Sequence, residues 1–178
     1  ELFYAKDGSY TYDFSYDDEV ICGNTRPDVE GVIGSSLNWK GFSVSLNFRY
    51  QMGADVFNEA LYSKVENISR SDLNKNQDKR ALYERWQEEG DIVRFKNIAS
   101  AETTPMSSRF VQEENVLTLE SVYLGYEFYD GWIKKLGLSS LKFQVSMRDV
   151  FRASTIRSER GIAYPFARSM EAGLSFNF

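Results

Sequence analysis

The chain has 178 residues, of which 42% are hydrophobic, 26% charged and 15% aromatic, a mixture that excludes collagen-like, low-complexity and wholly disordered classes. The formal net charge of −5 and a sequence pI near 4.9 argue against a nucleic-acid partner, because phosphate-backbone affinity comes from clustered Lys and Arg releasing counterions. There is no His, which removes Ser-His and Cys-His nucleophilic catalysis and imidazole metal sites, and the single Cys22 cannot form an internal disulfide.

Aromatic-rich, Pro-poor composition, with 11 Tyr, 13 Phe and 3 Trp against 3 Pro, leans towards strands. No stretch approaches the ~18 consecutive apolar residues of a membrane helix. The mean hydropathy of −0.44 would ordinarily be read as soluble. A transmembrane β-barrel evades that reading, since lipid-facing apolar residues alternate with lumen-facing polar ones along every strand. Neither an initiating Met nor a signal peptide opens the sequence, and Glu1-Leu2-Phe3-Tyr4 resembles the end of a strand, so the chain is expected to be a piece of something longer.

In chain order, the first alternating segment is Tyr10, Tyr12, Phe14 and Tyr16, expected to be a strand with one wet face. The clearest segment follows, from Val29 to Gln51. Ile33, Leu37 and Trp39 share one parity, Lys40-Gly41 interrupts, and Phe42, Val44, Leu46, Phe48 and Tyr50 take the other. This is a hairpin with a two-residue turn, pairing Trp39 with Phe42, Leu37 with Val44, Ser35 with Leu46 and Ile33 with Phe48. Both apolar sets then share one face, and Ser36, Asn38, Ser43, Ser45, Asn47, Arg49 and Gln51 share the other. About ten residues per strand, tilted by roughly 45°, suffice for ~25 Å of hydrocarbon.

Residues 53–114 form a gap far above ordinary loop length, expected to be functional and structured in its own right. Phe57, Leu61 and Val65 repeat at helical spacing within Asp55 to Asn67, and Leu82 with Trp86 marks a second short helix from Asp78 to Glu89, ended by Gly90. From Val116 to Phe128 the apolar parity slips from odd (Leu117, Leu119) to even (Val122, Leu124, Tyr126, Phe128), which predicts a β-bulge near Glu120-Ser121. Two further strands are predicted. In one, Leu141, Phe143, Val145 and Met147 alternate with Lys142, Gln144, Ser146 and Arg148; the other carries Met170, Ala172, Leu174, Phe176 and Phe178. Aromatics gather at strand ends, Trp39 with Phe42 and Tyr126, Phe128, Tyr129 with Trp132, as interfacial girdles require.

The terminal pattern through Leu174, Phe176 and Phe178 resembles the barrel-insertion signal of bacterial outer-membrane barrels. More specifically, several blocks in order resemble the C-terminal barrel region of the SusC/RagA family of TonB-dependent outer-membrane transporters of Bacteroidetes. These are Gly23-Asn24-Thr25-Arg26-Pro27 leading to Trp39-Lys40-Gly41-Phe42; Tyr50-Gln51-Met52-Gly53-Ala54-Asp55; Arg85-Trp86 followed by Gly90-Asp91; and Ser108-Arg109-Phe110-Val111 running to Leu117-Thr118-Leu119 and Gly125-Tyr126. Two departures fall near the end. Asp149-Val150 stands where the family usually has Asn-Leu, and residues 160–165 replace an acidic Asp-Pro-Glu segment.

The resemblance implies an all-β fold: an antiparallel transmembrane barrel of about 22 strands, of which residues 1–178 supply about the last six, with 53–114 as an extracellular loop holding short helices. It also implies, as partners, the remainder of the barrel and its plug, a SusD-like surface lipoprotein, the TonB complex, outer-membrane lipid, and a glycan or peptide cargo. The location would be the cell outer membrane and the role active import, with no cofactor.

No catalytic site is expected: Asp17-Asp18-Glu19, Glu88-Glu89 and Glu113-Glu114 are adjacent acids that diverge, whereas glycoside hydrolysis needs two converging carboxyls. None of the acidic runs matches an EF-hand loop, so no metal is assigned. Asn47, Arg49, Gln51, Gln144 and Arg148 are the residues expected to face the lumen, where polar groups tune selectivity or bond to neighbouring strands and the plug. Trp86 could stack on a sugar or pack against a lid, but the commoner role is anchoring its own loop. Two alternatives remain open on periodicity alone: a soluble carbohydrate-binding β-sandwich, and a small stand-alone membrane barrel.

Overall fold

The alternating aromatics near the N-terminus do not make one long strand. In the computed structural model, which describes residues 2–157 and 168–178, they form two short strands, β1 (Phe3–Tyr4) and β2 (Tyr10–Thr11), paired antiparallel. Asp7-Gly8 turns the chain between them. Gly8 takes φ of 85°, open to a residue without Cβ, and Asp7 Oδ1 accepts the Ser9 amide at 2.8 Å. Ser15 then accepts the Asp17 amide and nucleates a 3₁₀ turn over Tyr16–Asp18, so a local cap ends the alternation that would have continued a strand. Residues 160–165 lie outside the described residues.

Two compact units divide the chain: Arg26–Ala54 with Glu113–Phe178, and Glu1–Thr25 with Asp55–Gln112. The first is a five-stranded sheet in the order β3 (Val29–Trp39), β4 (Phe42–Phe57), β5 (Val111–Phe128), β6 (Ser140–Ser154), β7 (Ser169–Asn177). Each strand neighbours its sequence successor, as in a meander. The β3–β4 hairpin has the register read from parity, with Trp39 opposite Phe42, Leu37 opposite Val44, Ser35 opposite Leu46 and Ile33 opposite Phe48. Lys40 (φ 47°) and Gly41 (φ 89°) both take left-handed backbone, the type I′ geometry whose twist matches the flanking strands. Beside that turn, the Glu127 amide donates to Gly41 O at 2.9 Å, fastening β5 to the hairpin.

A register shift lies between Leu119 and Ser121, where the sequence predicts a bulge, but its additional residue is on the facing strand. Leu119 pairs with Phe151 but Ser121 pairs with Arg148, so two steps along β5 are matched by three along β6. The additional residue is accommodated on β6 at Asp149, whose φ of 51° is left-handed, and this is the position where the sequence departs from the family's Asn. β6 and β7 pair without interruption from Ser140 opposite Asn177 to Arg148 opposite Ser169. Between β5 and β6 a short helix, α2 (Trp132–Lys135), buries Ile133.

The second unit has its own small core of Leu61, Val65, Phe95 and Phe110, with Phe57 and Tyr62 packed against it. Helix α1 (Glu59–Leu61) and a π-turn over Tyr62–Glu66 carry Leu61 and Val65 inward at the predicted spacing, but the helix starts later than Asp55, because strand β4 continues to Phe57. Asn58 sets that start: its Oδ1 accepts the Leu61 amide at 3.0 Å. The second predicted helix, Asp78 to Glu89, is reduced to a 3₁₀ turn over Lys79–Leu82. Asp78 caps it through the Arg80 amide, and Glu84 at φ 55° breaks any continuation.

Candidate functional site

The five strands give one wall two unlike faces. Cross-strand pairs Trp39–Phe42, Phe128–Leu141, Tyr126–Phe143, Leu124–Val145, Phe143–Leu174 and Leu141–Phe176 lie on one of them. That face is apolar across all five strands and open. Leu37 is 63% exposed, Leu174 62% and Met170 70%. A β-sandwich would bury these side chains against a partner sheet. An exposed apolar surface of this continuity marks a contact with protein or lipid.

Its rim is aromatic. Phe42 packs tilted against Tyr126 (4.4 Å between ring centroids), and Tyr126 meets Phe128 (4.5 Å) and Phe128 meets Trp132 (6.0 Å) edge to face, a chain of rings at the turn end of the wall. Rings of this kind place an apolar body beside hydrocarbon and a polar edge towards water. Of the insertion-signal residues, Leu174 and Phe176 lie on the apolar face of β7, while Phe178 lies one residue past its end, 92% exposed.

The opposite face carries the five residues expected to line a lumen. Asn47 donates to Ser121 Oγ at 2.9 Å, Arg49 to Glu120 at 2.5 Å, and Gln51 to Glu30 at 3.4 Å. On β6, Gln144 accepts the Tyr123 hydroxyl at 3.2 Å. Arg148 stands exposed opposite Ser121 and Ser169, without an ion pair among the described residues. Thus Asn47, Arg49 and Gln51 form one row along β4, and Gln144 and Arg148 form a separate row two strands away. Sequence reasoning passed over their partners Glu30, Glu120 and Tyr123; the parity slip at Glu120 was the available signal, since it turns Glu120 and Ser121 to the same face.

Residues 55–112 hold a buried polar hub that periodicity could not disclose. The Glu66 side chain is 2% exposed and accepts from Thr104 Oγ1 (2.7 Å), Arg109 Nη2 (3.0 Å) and the Lys96 amide (3.3 Å). Beside it the buried Arg85 donates Nε to Ala81 O at 2.6 Å, Nη1 to Lys96 O at 2.9 Å and Nη2 to Val65 O. Burial lowers the Arg85 pKa, opposed by the nearby Glu66 charge. It is Arg85, not the 41%-exposed Trp86, whose side chain ties this segment together. The Arg80 guanidinium holds the Asp78 carboxyl below its ordinary range, and amides of Gln87 and Glu88 do the same for Asp91.

Among the described residues no group of three or more Cys, Asp or Glu converges in a way that could hold a metal. Of the acids singled out in the sequence, Glu114 pairs with Arg152 (3.0 Å) and Glu113 accepts from Asn115 (2.9 Å).

Comparison with known proteins was made for the whole chain. No family profile matches the chain. TonB-dependent receptor P39 of Formosa agariphila is 24% identical over 154 residues, and TonB-dependent receptor P3 of the same organism is 24% identical over 146. The chain is similar to these TonB-dependent receptors. These matches cover 84% and 82% of this chain but 14% of each receptor, so it spans about a seventh of their length. Among solved structures, the RagAB peptide importer in its open-open state superposes with a TM-score of 0.75 at 19% identity, over 99% of this chain and 20% of that one. The closed-closed state gives 0.74 at 20% identity, over 99% and 21%. The chain therefore has the fold of the matching stretch of those structures, and the comparisons agree with the resemblance carried by the ordered blocks.

Proposed function

We propose that this chain supplies a C-terminal stretch of wall to an outer-membrane, TonB-dependent importer of the SusC/RagA kind, acting in nutrient uptake and not in catalysis. The observation that carries the reading is the pair of faces on β3–β7: a continuous exposed apolar face bounded by aromatics in mutual contact, and a polar face opposite. Lipid suits the first and a water-filled lumen the second.

The β3 and β7 edges of the described sheet have unpaired backbone groups. Such edges cannot face hydrocarbon unsatisfied, so further strands of the same barrel are required beside them. On this reading Asn47, Arg49, Gln51, Gln144 and Arg148 face the lumen and its plug, and residues 53–114 form an extracellular loop. A SusD-like lipoprotein would cover the mouth, and the TonB complex would supply energy. Cargo would be a glycan or a peptide.

Intact-mass measurement with peptide mapping of the protein extracted in detergent from outer membranes tests this. A mass several-fold above 20.5 kDa with peptides upstream of Glu1 is expected. A species of this mass that is monodisperse without detergent would overturn the reading.

A further inference from the structure

We infer that the groove within the unit of Glu1–Thr25 and Asp55–Gln112 binds an extended cationic peptide, with Lys or Arg side chains of the ligand received by aromatic rings and carboxylates. The inference deepens the import reading by naming the charge and class of a ligand, and it rests on that reading. The groove has a volume of about 1370 Å³, larger than the ~300–1,000 Å³ usual for small-molecule pockets, so it suits a ligand with length.

Its lining combines rings and acids. Phe3 packs edge-on against Phe14 (5.6 Å between centroids), and this half-buried pair supports the N-terminal side. Tyr12, 80% exposed, and Trp86 present open rings to the groove. A ligand cation over such a face is attracted by the ring quadrupole, and the aliphatic stem of Lys or Arg covers apolar lining on the way.

The charge balance selects the sign. Six acids line the groove, Asp13, Asp18, Glu19, Glu66, Asp91 and Glu102, against three bases, Arg94, Lys96 and Arg109. All three bases are engaged from within the unit. Lys96 Nζ donates to Asn67 Oδ1 at 2.8 Å and to Glu102 O; Arg109 donates to Glu66 at 3.0 Å and to Arg94 O; Arg94 lies 3.8 Å from Glu84. The acids are less compensated. Asp18 and Asp91 accept only neutral backbone amides, and the exposed Asp13 and Glu19 carboxylates have no hydrogen-bond or ion-pair partner among the described residues. Anionic cargo such as a uronate or sulfated glycan would be repelled by this excess. A peptide cation meets carboxylates and ring faces together, which a neutral sugar cannot do.

The test uses the full-length detergent-purified transporter and fluorescence anisotropy with three labelled nonapeptides of one design, bearing three Lys, three Glu or three Ser. Oligogalacturonate and a deacetylated chito-oligosaccharide serve as competitors. The Lys peptide is expected to bind at least about tenfold more tightly than the Glu peptide at low salt, with the gap closing as salt shortens the Debye length to ~8 Å. D13N/E19Q should narrow that gap several-fold.

Equal binding of the three peptides, preference for the Glu peptide or for oligogalacturonate, or an unchanged gap in D13N/E19Q would overturn the inference. So would tighter binding of the amino-sugar oligomer than of the Lys peptide. Energy-dependent uptake by cells carrying the transporter separates the two levels. Uptake without charge preference removes the groove assignment alone, whereas absence of the protein from the outer membrane removes the import reading and the inference with it.

Discussion

Arg49 on β4 donates from Nε to Glu120 on β5 at 2.5 Å, a contact between residues 71 apart in sequence. The pair spans two strands on the polar face. Its side chains are 48% and 34% exposed, so solvent screens the attraction and the entropy of holding two long side chains opposes it. R49A is therefore expected to leave the stability of the fold close to that of the parent. Urea titration followed by heat-modifiable gel mobility checks this; a large loss would mean that Arg49 also holds a partner outside this chain.

The two faces make opposite predictions for one charge. Leu46, on the apolar face, and Asn47, on the polar face, are consecutive residues near the middle of the paired stretch of β4. L46R should cost about 2–4 kcal/mol in a bilayer, against about 1 or less for N47R, because only the first places a guanidinium in hydrocarbon. Folding into lipid vesicles monitored by Trp fluorescence separates them. Equal costs would mean that neither face meets lipid.

These faces were legible in the sequence because a period of two fixes side-chain direction once the turn is placed. Lys40-Gly41 placed it, and the four pairs read from parity stand in the structure. The place of the register shift was legible for the same reason, as a slip in that period at Glu120-Ser121, but not that the additional residue would sit on the facing strand at Asp149. What periodicity could not reach was anything set by contacts distant in sequence. Glu66 meets Thr104 and Arg109 across 38 and 43 residues, and Arg85 meets Val65 across 20; none of these spacings has a signature. The helix expected from Asp78 to Glu89 failed because Leu82 and Trp86 have helical spacing without sharing a buried face, Leu82 being 70% exposed. Local caps at Ser15 and Asp78 likewise overrode patterns that looked continuous.

The buried hub should hold residues 59–110 as a unit with its own stability. E66A leaves Arg109, Thr104 and the Lys96 amide without their shared acceptor, and R85M leaves three carbonyls without a donor. Each is expected to cost the loop about 3 kcal/mol. Limited proteolysis should then cut within 59–110 while the strands stay intact. Cleavage within β3–β7 at the same rate would show that the loop and the wall unfold together.

Acid should loosen the same loop from one side. The Asp78 carboxyl is lowered from 3.8 chiefly by the Arg80 hydrogen bond, and the Asp91 carboxyl from the same value by the Gln87 and Glu88 amides. A folded-state pKa below the unfolded one contributes stability that is full above the ordinary value and is lost as pH falls through the lowered one. Hydrogen exchange over residues 78–91 should be unchanged between pH 8 and 5, after correction for intrinsic rates, and accelerate below about pH 4. D78N should remove most of the Asp78 share of that acid response; a response unaltered in D78N and D91N would place its origin elsewhere.

The hairpin turn supplies the sharpest backbone test. Gly41 has φ of 89°, and a Cβ added there would lie 2.6 Å from Glu127 O, the backbone of the neighbouring strand, which cannot swing away as a side-chain end could. G41A is therefore penalised twice, by the left-handed conformation and by the contact, and a cost of at least about 1–2 kcal/mol is expected. Lys40 stands at the other left-handed position with φ of 47°, where Asn is favoured. K40N relieves a backbone cost of about 0.5–1 kcal/mol while keeping the register, against which stands loss of the Lys40 ammonium from over the Trp39 ring, 4.9 Å from its centroid. A penalty for G41A well above any for K40N, read from the rate of unfolding, is expected if the turn is type I′; a G41A penalty no larger than that of K40N would require a different turn and with it a different assignment of the two faces.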